Sequence, residues 1–246
     1  LIVAKNPHSK VLPGYELIGV DKGDKFTKVS TLKKTFLGRH LIFCGGLQAD
    51  RLAKMDGLSG IGMRIVGFRG DYYDLTPQGK HKVKHLIYPV PNPAFPFLGV
   101  HFTRMVDGSI ECGPNAVFVF KREGYGKFSF SLRDSWDALT YRGTWKLFFR
   151  QWRFGLDEYR RAFSKKLFLR QLRRLIPSLE MDDLMPGRAG VRAMALDPNG
   201  DMIDDFKIEY KQESIHVLNA PSPAATSALA IGTAVREMAE KHFALK

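Results

Sequence analysis

The chain has 246 residues, is 44% hydrophobic and 12% aromatic, and carries a formal net charge of +13 at pH 7. That length suits one large domain or two modest ones, and the composition excludes a disordered or low-complexity chain. No apolar run is long enough for a membrane-spanning helix. Cys44 and Cys112 are too few for a disulfide framework and suit a reducing, cytoplasmic setting.

The opening residues, LIVAKNPHSK, lack the charged region, long apolar core and cleavage site of a signal peptide. They also lack an initiator Met, and the expectation is that the chain is a piece of a longer one. The charge is uneven. Arg142–Arg174 holds eleven Lys/Arg against Asp157 and Glu158, a local net of +9. Taken alone, that balance points to nucleic acid or an anionic membrane surface.

In chain order, YELIGV and FTKVSTL read as strands separated by the turn-like DKGDK. RHLIFCGG is a short apolar run ending in two glycines, as in a buried parallel strand, and LQADRLAKMDG has helical spacing with Gly57 as its stop. This strand–Gly–helix unit predicts an α/β layer. MRIVGFRGDYYDL, HLIYPVP, FLGVHFTRM and GSIECGPNAVFVF follow as β segments. The turns PNPAFP and VDGS lie between them, which predicts an antiparallel sheet. From about Ser131 to Leu179 the spacing of Trp145, Phe148, Phe149, Trp152 and Leu156 is helical, with a break expected at Gly155. PGRAGVRAMALDPNGDMIDDF returns to strand and turn. SIHVLNA is a last strand, and SPAATSALAIGTAVREMAEKHF a last helix. An order of α/β, antiparallel β, helices, then α/β again describes one domain inserted in another. No standard pyrophosphate cradle is present: GLSGIG at 57–62 fails G-x-G-x-x-G because Ser59 stands at the second glycine position.

Five segments together carry a resemblance: CGGLQADRLAKMDGL, FRGDYY, the run from HLIYPVPNPAFP to FKREGY, AGVRAMALDPNGDMIDDF, and SIHVLNAPSPAATSALAIG. In order over roughly residues 40 to 235, they resemble the L-2-hydroxyglutarate oxidases and dehydrogenases. These are FAD-dependent enzymes of the D-amino-acid oxidase and glycine oxidase superfamily. The family's Gly-rich start is not in this sequence, so the resemblance is to its C-terminal portion. The implied fold class is α+β: an antiparallel-sheet substrate domain with flanking helices, plus the C-terminal parts of a Rossmann-like α/β FAD-binding domain. The implied boundaries are 1–62 (partial FAD domain), 63–180 (substrate domain) and 181–246 (a sheet strand and the return to the FAD domain).

The resemblance implies oxidation of an L-2-hydroxy dicarboxylate to the 2-oxo acid, with hydride passing to the flavin. Arg192 in AGVRA stands where related amino-acid oxidases carry a carboxylate-binding Arg. A guanidinium suits that task because it forms two parallel hydrogen bonds and stays charged. The alternative is a surface Arg at a strand end. His101 and Arg104 in GVHFTR alternate with apolar neighbours, so they fall on opposite faces of a strand. His101 is the candidate proton acceptor or carboxylate ligand. Arg104 is a candidate substrate ligand. Arg69 and Tyr73 in FRGDYY, with Tyr72 beside them, are candidates for the distal carboxylate, and Asn115 in CGPNA for a substrate hydrogen bond; sheet packing is the alternative for the tyrosines.

On the cofactor side, Cys44, Gly45 and Gly46 resemble a flavin-domain signature in which small residues let backbone approach the adenosine part of FAD. Gly200 and Asp201 lie in a loop similar to one against the flavin ring. Ser222, Ala224, Ala225 and Thr226 would offer backbone N–H groups at a helix N-terminus pointing at the flavin, with Pro221 and Pro223 fixing the turn. An ordinary cap at Ser222 with Pro223 at the first helical position is the alternative. No metal ligands are expected. The implied partners are a dicarboxylate substrate, the remainder of the FAD domain, and an anionic membrane surface or quinone-linked electron acceptor on the inner face of the cell membrane. Nucleic acid is not expected. A cofactor-free basic module that meets RNA or membrane is the competing class.

Overall fold

The computed structural model describes residues 5–90, 99–222 and 224–245. They form two compact units, Leu1–Ile61 with Asp205–Lys246, and Gly62–Asp204.

In the first unit, β1 (Leu17–Lys22), β2 (Thr27–Thr31) and β3 (Thr35–Gly38) make an antiparallel meander with Val20 opposite Val29 and Val29 opposite Phe36. A second sheet has the order β10–β11–β4, from Lys207–Lys211, Ser214–Asn219 and Leu41–Phe43. β4 runs parallel to β11 with Ile42 opposite Ile215, but as the outer strand of its sheet it is not the buried strand expected: Ile42 is exposed and only Phe43 is buried. All six residues of β11 are buried, the usual state of a central strand next to a parallel neighbour. Helix α1 (Ala49–Met55) follows β4 and packs on β11, and Gly57 ends the helical stretch at φ +73. Asp56, Ser214 and His216, buried beside α1, contact one another through one carboxylate oxygen. Ser214 Oγ donates to Asp56 Oδ2 at 2.5 Å, and His216 Nε2 lies 2.9 Å from the same oxygen. The His216 ring stacks on Phe43 at 4.5 Å.

The second unit is built on one long strand, β5 (Arg64–Leu75). β9 (Leu184–Leu196) runs antiparallel along it from Arg64 opposite Leu196 to Leu75 opposite Leu184. β5 also pairs with β7 (Ile110–Gly113) and with β8 (Val117–Phe118), and β6 (His101–Arg104) pairs with β7. The Asp-Gly pair does form the β6–β7 turn: Gly108 takes φ +79 and Asp107 Oδ1 accepts from the Ser109 N–H at 2.9 Å. HLIYPVP is not a strand over its described residues. Only Ile87 bridges to Phe102, and Pro89 has no N–H for a ladder. Residues 91–98, which include PNPAFP, lie outside the described residues.

Helices α2 (Leu132–Leu139), α3 (Arg142–Phe163) and α4 (Lys165–Leu172) cover the sheet. Ser131 and Ser164 cap α2 and α4 through side-chain oxygens that accept from Asp134 and Leu167. One core gathers Leu75, Phe102, Ile110 and Cys112 from the sheet with Phe168, Leu172 and Leu179. A second gathers Val66, Phe68 and Phe118 with Leu147 and Leu196. Burying each such side chain is worth about 1.5–3 kcal/mol. α3 runs through Gly155, and its break falls at Gln151 (φ −115, ψ 22).

Candidate active site

Alternation along β6 sends Phe102 into the core, fully buried, and leaves His101 and Thr103 on the other side. There the His101 ring stacks on Tyr88 with centroids 4.5 Å apart, and Tyr88 Oη lies 3.5 Å from Thr103 Oγ1. His101 stands opposite Gly113 in the ladder. A Cβ at Gly113 (φ +142) would stand 2.9 Å from the Asp71 carbonyl oxygen, so only glycine lets β7 close on β5 here. His101 Nδ1 lies 2.9 Å from the Gly99 carbonyl oxygen. A carbonyl only accepts, so Nδ1 carries the proton and the neutral ring keeps its lone pair on Nε2. Burial pushes the imidazole below its ordinary 6.5, the Gly99 carbonyl opposes this, and the charge of Arg192 lowers it further. Arg192 and His101 therefore act on each other electrostatically, although they are 91 positions apart in the chain. Arg192 is half-buried on β9 opposite Phe68.

Beside them, Glu111 is flanked in register by Thr103 on β6 and Asp74 on β5. Burial raises the Glu111 carboxyl and Asp74 raises it further, while Arg188 opposes both.

The other candidate substrate ligands are engaged elsewhere. Arg69 is buried: its Nε lies 2.9 Å from Asp71 Oδ1, Nη2 donates to Asp71 Oδ2 at 3.2 Å, and Nη1 donates to the Gly126 carbonyl at 2.7 Å. Asn115 holds the same Asp71, accepting from its backbone N–H at 2.6 Å and donating to Oδ2 at 3.1 Å. The Tyr73 ring packs on Phe168 at 4.9 Å, beside the first core. Arg104 is exposed at the end of β6. Sequence reading missed two groups. Asp71 stands two positions from Arg69, the strand spacing that puts an ion pair on one face, and this was the available signal. Glu158 on α3 is buried, accepts from the Ala116 N–H at 2.9 Å and pairs with Arg161. Burial pushes its carboxyl up, and Arg161 and the Ala116 N–H oppose it.

The cofactor-side candidates divide in the same way. A Cβ at Gly45 would collide with Leu52 of α1, so this glycine serves strand–helix packing. Gly46 takes φ +50 and has nothing within 4 Å of an added Cβ, which leaves bare backbone facing open space, and Cys44 beside it is exposed. Gly200 and Asp201 belong to the second unit and are latched to α3. A Cβ at Gly200 would stand 2.7 Å from the Gly143 carbonyl oxygen, and Asp201 pairs with Arg150 at 2.6 Å. The last helix, α5 (Ala228–His242), starts later than Ser222. Ala224 donates to the Pro221 carbonyl at 3.0 Å in a turn, and the residues Ser222, Ala225 and Thr226 are exposed ahead of the helix. Ser227, not Ser222, stands at the N-cap position, and Pro223 lies outside the described residues.

One unit carries a parallel strand–Gly–helix element and the other an antiparallel sheet flanked by helices, which makes the chain an α+β protein. The sequence pattern described as "FAD dependent oxidoreductase" matches residues 4–238, and the chain belongs to that family. It is 46% identical over 234 residues to the L-2-hydroxyglutarate dehydrogenase of Indibacter alkaliphilus, covering 95% of this chain and 59% of that protein. It is 49% identical over 224 residues to the mitochondrial L-2-hydroxyglutarate dehydrogenase of Nematostella vectensis, covering 89% of this chain and 49% of that one. The chain thus spans between half and three fifths of the length of these relatives. Among solved structures, the FAD-bound L-alpha-glycerophosphate oxidase of Mycoplasma pneumoniae matches with a TM-score of 0.65 at 20% identity. That match covers 94% of this chain and 50% of the other, a likeness of fold. Among the described residues, no helix is long and apolar enough to cross a membrane, and no group of three or more His, Cys, Asp or Glu could hold a metal ion.

Proposed function

We propose that the chain is part of an FAD-dependent enzyme that oxidises L-2-hydroxyglutarate to 2-oxoglutarate. The observation that carries this reading is the identity of 46% over 95% of the chain to a relative of that name. The lowering of the His101 pKa, by burial first and by the charge of Arg192 in smaller part, supports it. Arg192 grips a substrate carboxylate in a two-pronged hydrogen bond. His101 accepts the proton of the 2-hydroxyl at Nε2: its lowered pKa keeps the ring unprotonated, and its Nδ1 bond to Gly99 leaves the lone pair on Nε2. Arg104 is a candidate for the second carboxylate. Asn115, Arg69 and Tyr73 act behind the site, holding the strands that carry it. FAD supplies the hydride acceptor. The open, bare backbone at Gly46 suits close approach by such a group, with Cys44 and Gly45 beside it and the turn through Ser222, Ala225 and Thr226 as a second contact.

The reading extends to electron transfer into a membrane respiratory chain, with peripheral contact to an anionic membrane surface. Supporting this, Trp145, Phe149 and Trp152 on α3 are 46%, 74% and 59% exposed within the segment of net charge +9. Protein expressed from the whole coding sequence is expected to be yellow and to bleach without oxygen when L-2-hydroxyglutarate, but not its D-enantiomer, is added. A colourless protein indifferent to both would sink the reading. Sedimentation with phosphatidylglycerol vesicles but not phosphatidylcholine vesicles tests the membrane contact.

A further inference from the structure

The second unit holds a cavity of about 560 Å³ between α2, α3 and β8, and neither His101 nor Arg192 lines it. Phe68, Phe118, Phe120, Phe148, Trp152 and Leu156 are among the residues of its wall. Of its polar side chains, Tyr159 already donates its hydroxyl to the Phe118 carbonyl at 2.8 Å. Small-molecule sites have this character, at about 300–1,000 Å³ with apolar walls and few polar groups.

One residue in the wall leaves the space open. Gly155 lies inside helix α3, and an added Cβ there would have nothing within 4 Å. Glycine is among the worst residues for a helix interior. Elsewhere in α3 it has a packing reason: a Cβ at Gly143 would collide with the Asp197 carbonyl oxygen. At Gly155 no packing neighbour requires it, and Gly155 itself lines the cavity, so a large side chain there is placed to fill it. Beside this space lies a cleft of about 290 Å³ that shares Gln151, Trp152 and Phe154 with it and adds Arg150, Arg153 and Asp157. The Arg153 guanidinium sits over the Trp152 ring at 5.2 Å, and Arg150 reaches Asp201.

We infer that the cavity binds a single long alkyl chain ending in an anion, a fatty acid, with the tail against the aromatic wall and the carboxylate beside Arg150 and Arg153. The wall has too few polar atoms to orient a ligand rich in hydrogen-bonding groups, whereas an alkyl chain needs none. Among the described residues lining the cleft, the two guanidinium groups outnumber the one carboxylate, Asp157. This site is independent of the oxidation chemistry proposed above.

The test uses protein expressed from the whole coding sequence and a series of saturated fatty acids from eight to sixteen carbons, kept below their micellar concentrations. Affinity is expected to rise about fourfold per added methylene until the cavity is full. A dibrominated stearate is expected to quench tryptophan fluorescence, because Trp152 lies in the wall. Gly155→Leu should abolish binding without lowering Tm. Arg153→Glu should weaken carboxylate binding about tenfold or more and leave a long-chain alcohol unaffected. Affinity that ignores chain length, or wild-type binding by Gly155→Leu, would overturn the inference. If Gly155→Leu proves unstable, quenching in the wild-type protein decides, and its absence overturns the inference. Binding to phosphatidylglycerol vesicles with none to monomeric fatty acid would also overturn it, since that is adsorption to a surface and not occupancy of the cavity.

Discussion

Replacing Asn115 with Ala tests whether the Arg69–Asp71–Asn115 cluster holds the sheet behind the candidate site. Asn115 is 3% exposed and makes two hydrogen bonds to one residue. The change strands the Asp71 backbone N–H without its acceptor, which costs about 1–3 kcal/mol for a buried group. It also removes one donor from the Asp71 carboxylate, worth about 1.5 kcal/mol or more. The carboxylate keeps both contacts to Arg69, so the loss is partial, and about 2–4 kcal/mol is expected in total. At about 3 °C per kcal/mol for a domain of this size, the transition of the second unit should move down by about 6–12 °C. Urea and thermal unfolding of Asn115→Ala, Asp71→Ala and the double variant give the coupling energy between the two side chains. A coupling of about 1 kcal/mol or more is expected for groups in one network. Additive effects, or a loss below 0.5 kcal/mol on the scale of an ordinary surface change, would refute the account.

In the whole enzyme, Arg192→Lys should raise KM for L-2-hydroxyglutarate and lower kcat, because an ammonium cannot make the two-pronged contact; unchanged kinetics would remove Arg192 from the site. Because the His101 pKa is lowered from 6.5, the neutral base form persists as pH falls below that value. The acid limb of kcat/KM should therefore lie below pH 6.5 and vanish in His101→Gln, and a limb above 6.5 that survives the substitution would assign the base elsewhere. The 246-residue chain by itself, which has no G-x-G-x-x-G phosphate cradle, should bind FAD weakly, and stoichiometric FAD after gel filtration would contradict that.

What could be read from the sequence was set by local chemistry. The Asp-Gly turn, the parallel strand before Cys44, the stop at Gly57 and the aromatic repeat of α3 each follow from neighbouring residues, and each is present. The contacts that decide which candidates can reach a ligand are distant ones. Arg69 and Asn115 look like free polar groups along the chain, yet Asp71 holds both, and the Asn115 contact spans 44 positions. The break in α3 shows the same division. Glycine made position 155 the local choice, but the helix breaks at Gln151. Before that point, Lys146 and Arg150 tie α3 to Asn199 and Asp201. After it, Glu158 and Tyr159 tie it to the backbone at Ala116 and Phe118. Two sets of anchors fix two directions, and the backbone yields between them, leaving Gly155 helical and free to keep the cavity open.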